Sequence, residues 1–160
     1  MKITLRKPKI SDVESFREVF NDEEVVKQLI GYKYPLTLEH ARNQLSKIIN
    51  KNKKDNYYEF VIIANGKWAG MIVLEKPSRD RKTFSLGYAI GRKYWNKGIT
   101  TKAIKLICDF GFNKLKIDKI IADNDEDNPA SGRVLEKNGF KFIKKEKKRH
   151  TDVLFWEMLK

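Results

Sequence analysis

Apolar residues recur along this chain in two alternating rhythms. Val13, Phe16, Val19 and Phe20 fall at three-and-four spacing, and Ser11 with Glu14 has the spacing of a capping box, which predicts a first helix just after a short "ITL" strand. Thr37 is placed to cap a second helix carrying Leu38, Ala41, Leu45, Ile48 and Ile49, which gives way to the polar "NKNKKDN" loop at 50–56. The rhythm then shortens. "YYEFVIIA" and "KWAGMIVLE" read as strands joined by Asn65-Gly66, the strongest short hairpin signal, and after a polar turn "KPSRDRK" the run "TFSLGYAIG" is a third strand. Beyond Gly98, polar positions 102, 105, 109, 113 and 116 oppose Ala103, Ile104, Ile107, Cys108 and Phe110, an amphipathic helix. "DKIIAD" is a strand, "NPASGRVLEKNGF" a helix closing at Gly139, and "FKFIKKEKK" and "DVLFWEML" are two final strands that pair. The order β-α-α-β-β-β-α-β-α-β-β predicts a mixed α/β fold, one central twisted sheet with helices on both faces, over a single domain spanning 1–160. The aromatic-rich last strand is either a sheet edge open to a second copy, forming a homodimer, or an interior strand.

Composition narrows the function. No run approaches the roughly 20 apolar residues of a membrane span, and the opening residues hold no apolar stretch of a signal peptide, which predicts a cytoplasmic protein with no membrane partner. A single cysteine, Cys108, with only His40 and His150, offers no internal disulfide and no metal set; Cys108 belongs to a core-facing helix side and both histidines to the surface. The 34 basic against 21 acidic residues give a net charge of +13, which suits an anionic partner or simply reflects lysine-rich solvated faces. A nucleic-acid module would need exposed aromatics among the cations, and only Tyr94 and Trp95 beside Arg92 and Lys93 offer this.

The candidate chemistry lies in "RKYWNKGITTKAI". A strand, a glycine turn and a helix start succeed one another there, and the first turn of a helix presents unpaired N–H groups and a positive dipole end. Gly98 lets the backbone approach an anion, Thr100 and Thr101 add hydroxyl donors, and Arg92, Lys93, Lys97 and Lys102 add positive field. The turn is neither a Walker loop nor a dinucleotide fingerprint.

"SLGYAIGRKYWNKGITTKAI" followed by "NPASGRVLEKNGFK" resembles the Gcn5-related N-acetyltransferase (GNAT) superfamily, and within it the Rim-type ribosomal-protein N-terminal acetyltransferases. The resemblance implies acetyl-CoA as donor and a primary amine as acceptor, either a protein N-terminus or a small amine, with nucleic acid involved only through the ribosome. It implies that the pyrophosphate lies on backbone amides of Asn96, Lys97, Gly98, Ile99, Thr100 and Thr101. The pantetheine arm would run along Ala89, Ile90 and Gly91, where neighbouring parallel strands splay and offer unpaired N–H and C=O groups. Asn128 would bond the pantetheine or position the loop, and Ser131 would face the thioester sulfur.

The chain departs from that family where protons move. Ser85 stands where many Rim-type relatives carry a glutamate, and a neutral hydroxyl cannot take a proton from an ammonium. Leu135 occupies the position of the superfamily's acidic tyrosine, leaving Ser131 or water as proton donor. Thr100 and Lys102 replace a small residue and a glutamate without loss. The base is a water chain ending on Tyr88, Asp123 or Glu75, with Tyr88 as a core aromatic the alternative; "NDEE" at 21–24 and "DNDED" at 123–127 are acidic linings of the acceptor site or solvated loops. The missing carboxylate also allows a non-catalytic reading, a CoA-binding sensor or ribosome-associated module.

Overall fold

Asn65 and Gly66 both sit at positive φ, 48° and 78°, the pair of left-handed residues that a tight two-residue hairpin requires. They join β2 (Tyr57–Ala64) to β3 (Lys67–Glu75) in the computed structural model, which describes residues 1–77, 80, 82–148 and 150–160. Around this hairpin are built β1 (Ile3–Arg6), α1 (Val13–Phe20), α2 (Glu23–Val26), α3 (Leu38–Lys51), β4 (Thr83–Ile90), α4 (Ile99–Asn113), β5 (Lys119–Asp125), α5 (Pro129–Lys137), β6 (Lys141–Glu146) and β7 (Val153–Leu159). The strands form one seven-stranded sheet in the order β1-β2-β3-β4-β5-β7-β6, antiparallel except for the β4–β5 pair. The polar turn expected after β3 falls partly on residues 78, 79 and 81, outside the described residues.

Strand alternation assigns the two faces. Ile62, Ile72, Leu74, Phe84, Leu86, Ile120 and Ala122 pack under α4 and α5 against Ile104, Ile107 and Leu135. Val61, Trp68 and Met71 point the other way, against Phe16 and Phe20 of α1 and Ala41, Leu45 and Ile48 of α3. The helix-on-both-faces architecture expected from the sequence is therefore the observed one. A bulge interrupts β3, where Ile62 faces Gly70 and Ile63 faces Trp68 so that Ala69 is the extra residue. The freed carbonyl of Ala69 accepts from Gly91 N at 2.9 Å and fixes the end of β4.

Two local expectations change, and one left open is decided. Ser11 caps nothing; a 3-10 turn at Ile10–Asp12 precedes α1, and Asp12 does the work. Its carboxylate receives both terminal nitrogens of Arg6, at 2.6 and 2.8 Å, and Lys9 N at 2.8 Å. "NDEE" contains the short helix α2, with Asp22 as its N-cap accepting from Glu24 N at 2.9 Å, so part of that acidic run ends a helix instead of lining a loop. β7 lies between β5 and β6, which excludes it as the edge strand; the edge is β6, exposed throughout. Thr37, by contrast, caps α3 as expected, accepting from His40 N at 3.1 Å. Among the described residues no helix is long and apolar enough to cross a membrane.

Asp12 is 7 % exposed, and although burial opposes its ionised form, the Arg6 guanidinium and the Lys9 amide hold its carboxyl below the usual carboxylate range. Its contribution is complete above the ordinary value of 3.8 and is lost as pH falls through the depressed one. Asp12→Asn should lower unfolding free energy in urea by about 2 kcal/mol at neutral pH, and by progressively less below about pH 4.

Candidate functional site

β4 and β5 run parallel for only three residue pairs, Thr83 with Lys119, Phe84 with Ile120 and Ser85 with Ile121, and then part. β5 continues along β7 as far as Asp125 and Val153, while β4 continues along β3 as far as Ile90 and Gly70. Gly91 N points back to Ala69, so backbone alternation turns the polar groups of Tyr88 and Ile90 toward the opening. Trp95 Nε1 donates to Ile90 O at 3.0 Å and occupies one of them. The expected splay is thus present beside Ala89, Ile90 and Gly91.

The opening leads to the glycine turn. After a 3-10 turn at Arg92–Tyr94 the chain takes positive φ twice, at Asn96 (58°) and Gly98 (70°), and enters α4 with Gly98 as N-cap and no side-chain cap. The N–H groups of Ile99, Thr100 and Thr101 precede the first intrahelical bond, which Lys102 N makes to Gly98 O at 3.2 Å. Leaving out a cap costs a helix about 1 kcal/mol. Burial outweighs that cost: Ile99, Ile104 and Ile107 are at most 1 % exposed, and each contributes about 2 kcal/mol. A Cβ built on Gly98 would meet nothing within 4 Å, so the turn faces open space.

The four cations have other partners than the turn. Arg92 pairs with Asp22 at 3.6 Å, Lys93 with Glu18 at 3.0 Å, Lys97 Nζ donates to Lys93 O at 2.7 Å and Lys102 Nζ to Met1 O at 3.2 Å. Arg92, Lys93 and Lys102 brace the turn against α2, α1 and the amino terminus, Lys97 folds back on the turn itself, and the backbone amides add to the local positive field. Tyr94 and Trp95 are half-buried, packed on the α1–α3 side, so the turn offers little of the aromatic surface that nucleic-acid stacking would need.

Across the opening, Asn128 is the N-cap of α5 and its side chain accepts from Ser131 N at 3.4 Å. Asn128 therefore positions the loop. Ser131 Oγ lies 2.6 Å from the Tyr88 hydroxyl, so the structure joins the two residues singled out for catalysis. Burial pushes the Tyr88 phenol up, with Asp123 adding to the rise and Ser131 working against it. Tyr88 is consequently a neutral hydroxyl at physiological pH, suited to donate a proton and unsuited to be the base. Asp123 is exposed, Leu135 is fully buried, and burial pushes the Cys108 thiol up to about 12, an inert core residue as expected.

The opposite face of β4 carries Thr83, Ser85, Gly87 and Ala89, all small. Glu75 is the cross-strand partner of Ser85, so a carboxylate reaches this place from β3. One row on, Glu59 of β2 faces Val73, which faces Gly87. The Tyr57 hydroxyl donates to Glu59 Oε2, and Asn52 brackets the Glu59 backbone at 2.9 and 3.1 Å. Burial pushes the Glu59 carboxyl up to about 7, with Tyr57 and Lys51 opposing and Glu75 adding to the rise. Sequence reading passed over Glu59, although a signal was there: the residue is in phase with Val61 and Ile63 on the helix-covered side of its strand.

An uncapped helix start behind an open glycine turn, continuous with unpaired strand edges, fits a diphosphate joined to an amide-bearing arm. Comparison with known proteins leads to the same chemistry. Residues 2–141 match the model of the Acetyltransferase (GNAT) domain. The chain is 29 % identical to the N-acetyltransferase YnaD of Bacillus subtilis, over 90 % of this chain and 84 % of that one. It is 27 % identical to a crystal structure of a GNAT-family acetyltransferase from Bacillus anthracis, with TM-score 0.86 and coverage of 99 % and 95 %. At 17 % identity it shares its fold with RimL, a ribosomal α-N-protein acetyltransferase in complex with coenzyme A, with TM-score 0.89 and coverage of 99 % and 94 %. Spermidine and aminoglycoside acetyltransferases share that fold as well. With the family model covering most of its length, the chain belongs to the GNAT family of N-acetyltransferases, whose members use acetyl-CoA.

Proposed function

We propose that residues 1–160 form one acetyltransferase domain, acting in the cytoplasm, that moves the acetyl group of acetyl-CoA to a protein N-terminus of the Rim type. The observation that carries this reading is the continuity of the β4–β5 opening with the uncapped start of α4. Bound there, acetyl-CoA supplies an activated thioester carbonyl. The amides from Asn96 to Thr101 hold the anionic end, and along residues 89–91 the strand edge open at Tyr88 and Ile90 orients the arm. A backbone N–H at the end of β4 polarises the carbonyl, and proximity of amine to thioester supplies much of the rate. Tyr88, relayed through Ser131, delivers a proton to the departing sulfur; these two are the catalytic residues of this reading. Glu75 places a carboxylate across the ladder from Ser85, which favours catalysis over a sensor role. A net charge of +13 disfavours approach of a small polycation and so supports a protein N-terminus over a polyamine.

Two variants test the donor site and the proton donor separately. Gly98→Val places a β-branched residue at φ 70° and should weaken acetyl-CoA binding by at least about tenfold in calorimetry while the protein stays folded. Tyr88→Phe should lower kcat by about ten- to a hundredfold, measured as thiol release, and leave acetyl-CoA affinity within about threefold. Wild-type turnover on amino-terminal peptides but not on spermidine is the result expected for the acceptor; the reverse preference overturns that part of the reading.

A further inference from the structure

We infer that Glu59 takes the proton from the acceptor's ammonium, with Glu75 beside it holding the cation. This rests on the acetyltransferase reading and adds the base that Ser85 does not supply.

The face of the sheet toward α1 and α3 is graded. Where it lies under the two helices it is apolar, with Val61, Met71 and Trp68. Toward the start of β2 it becomes polar, with Tyr57, Glu75 and Ser85 in one row and Glu59, Val73 and Gly87 in the next. Those rows end on β4 where it parts from β5. Gly87 projects no side chain, and Val73 Cγ1 lies 3.1 Å from where its Cβ would stand, so the path from the parting to the two carboxylates runs over the half-buried Val73. Two strand spacings, about 10 Å, separate Glu59 from Gly87, a gap that a chain of about three waters spans.

Every element around Glu59 contributes to its setting. Lys51 and Asn52 stand at the end of α3, Tyr57 on its own strand, Glu75 on β3, and Tyr32 on the segment between α2 and α3. Lys51 Nζ lies 4.9 Å from the centre of the Tyr57 ring. Burial and then Glu59 push the Tyr32 phenol up, so both tyrosines stay neutral and leave Glu59 and Glu75 as the anions of the cluster. Glu59 keeps a partly exposed surface, and so remains reachable. Of the two carboxylates, the exposed Glu75 is suited to attract the ammonium and the half-buried Glu59 to accept its proton near neutrality.

The step balances. The ammonium gives one proton to Glu59, which becomes a neutral acid and returns the proton to water between turnovers. The nitrogen lone pair forms the N–C bond, and the C–S bond breaks with its electron pair on sulfur. Tyr88, through Ser131, gives that sulfur one proton, and the second proton lost from nitrogen restores the Tyr88 hydroxyl.

The test uses the full chain, saturating acetyl-CoA, and thiol release with benzylamine, spermidine and amino-terminal alanine and serine peptides. For the amine with the highest kcat/KM, the wild type should lose activity as pH falls through about 7. Glu59→Gln should lower kcat by about a hundredfold and flatten that limb, Glu59→Asp should recover about tenfold, and acetyl-CoA affinity should stay within about twofold in both. Tyr57→Phe removes the hydrogen bond that holds the Glu59 carboxyl down and should move the limb to higher pH. Carbon-13 NMR of labelled glutamate should show a wild-type carboxyl titrating near 7 that is absent in Glu59→Gln. Unchanged kcat and pH profile in Glu59→Gln, with Tyr88→Phe impaired, overturns the role of Glu59 alone. Absence of turnover with every amine overturns this role together with the acetyltransferase reading.

Discussion

The parting of β4 from β5 is the constraint on which the rest of the site depends. A parallel pair gains hydrogen bonds by continuing, so each strand must be held elsewhere for the pair to stop after three residues. β4 is held toward β3 by Gly91 N on the bulge carbonyl of Ala69, and Trp95 fastens Ile90 O. β5 is held along β7 over its full length, and Trp156 Nε1 donates to the buried Asn124 Oδ1 at 2.7 Å. Asn124 in turn donates to the carbonyls of Asp125 and Asn128, which sets the start of α5 and with it Ser131. Strand ends, helix starts and the Tyr88–Ser131 contact are consequences of one arrangement.

That arrangement separates charge. The anion-receptive amides of α4 lie at the far end of the opening, while Glu59 and Glu75 lie beyond Gly87 on the side facing α1 and α3. On the proposed reading an anionic donor and a cationic acceptor meet from two directions, and the face of the strand between them carries only the small residues Thr83, Ser85, Gly87 and Ala89. The excess of lysine and arginine contributes little to either end in a direct way, because the cations nearest the turn are engaged with Glu18, Asp22 and backbone carbonyls. Such exposed pairs each add little stability, but they fix where the turn sits against α1.

Features written in a few adjacent residues were legible in the sequence. The Asn65-Gly66 hairpin, the Thr37 cap and the glycine start of α4 each depend on local backbone preference, and each stands where the pattern placed it. Ser11 misled because its rival cap, Asp12, is chosen by Arg6 from the preceding strand. The cations around Gly98 misled for a similar reason, since Glu18 and Asp22 reach them from more than 60 residues away in sequence. Tyr88 and Ser131 were singled out one by one, but their contact, 43 residues apart, exists only in the fold. Glu59 went unread because its meaning comes from cross-strand register: Val73 and Gly87 lie opposite it on strands that sequence alone does not align.

On the proposed reading the β4–β5 opening and the start of α4 form one receptor for acetyl-CoA. Amide hydrogen exchange with and without coenzyme A tests it at single-residue resolution, because Ile99, Thr100 and Thr101 lack an intrahelical acceptor and the Tyr88 and Ile90 amides face the opening. Protection concentrated at these amides on adding saturating coenzyme A is the predicted result. Binding that protects residues elsewhere and leaves this set exchanging at its free rate would contradict the account.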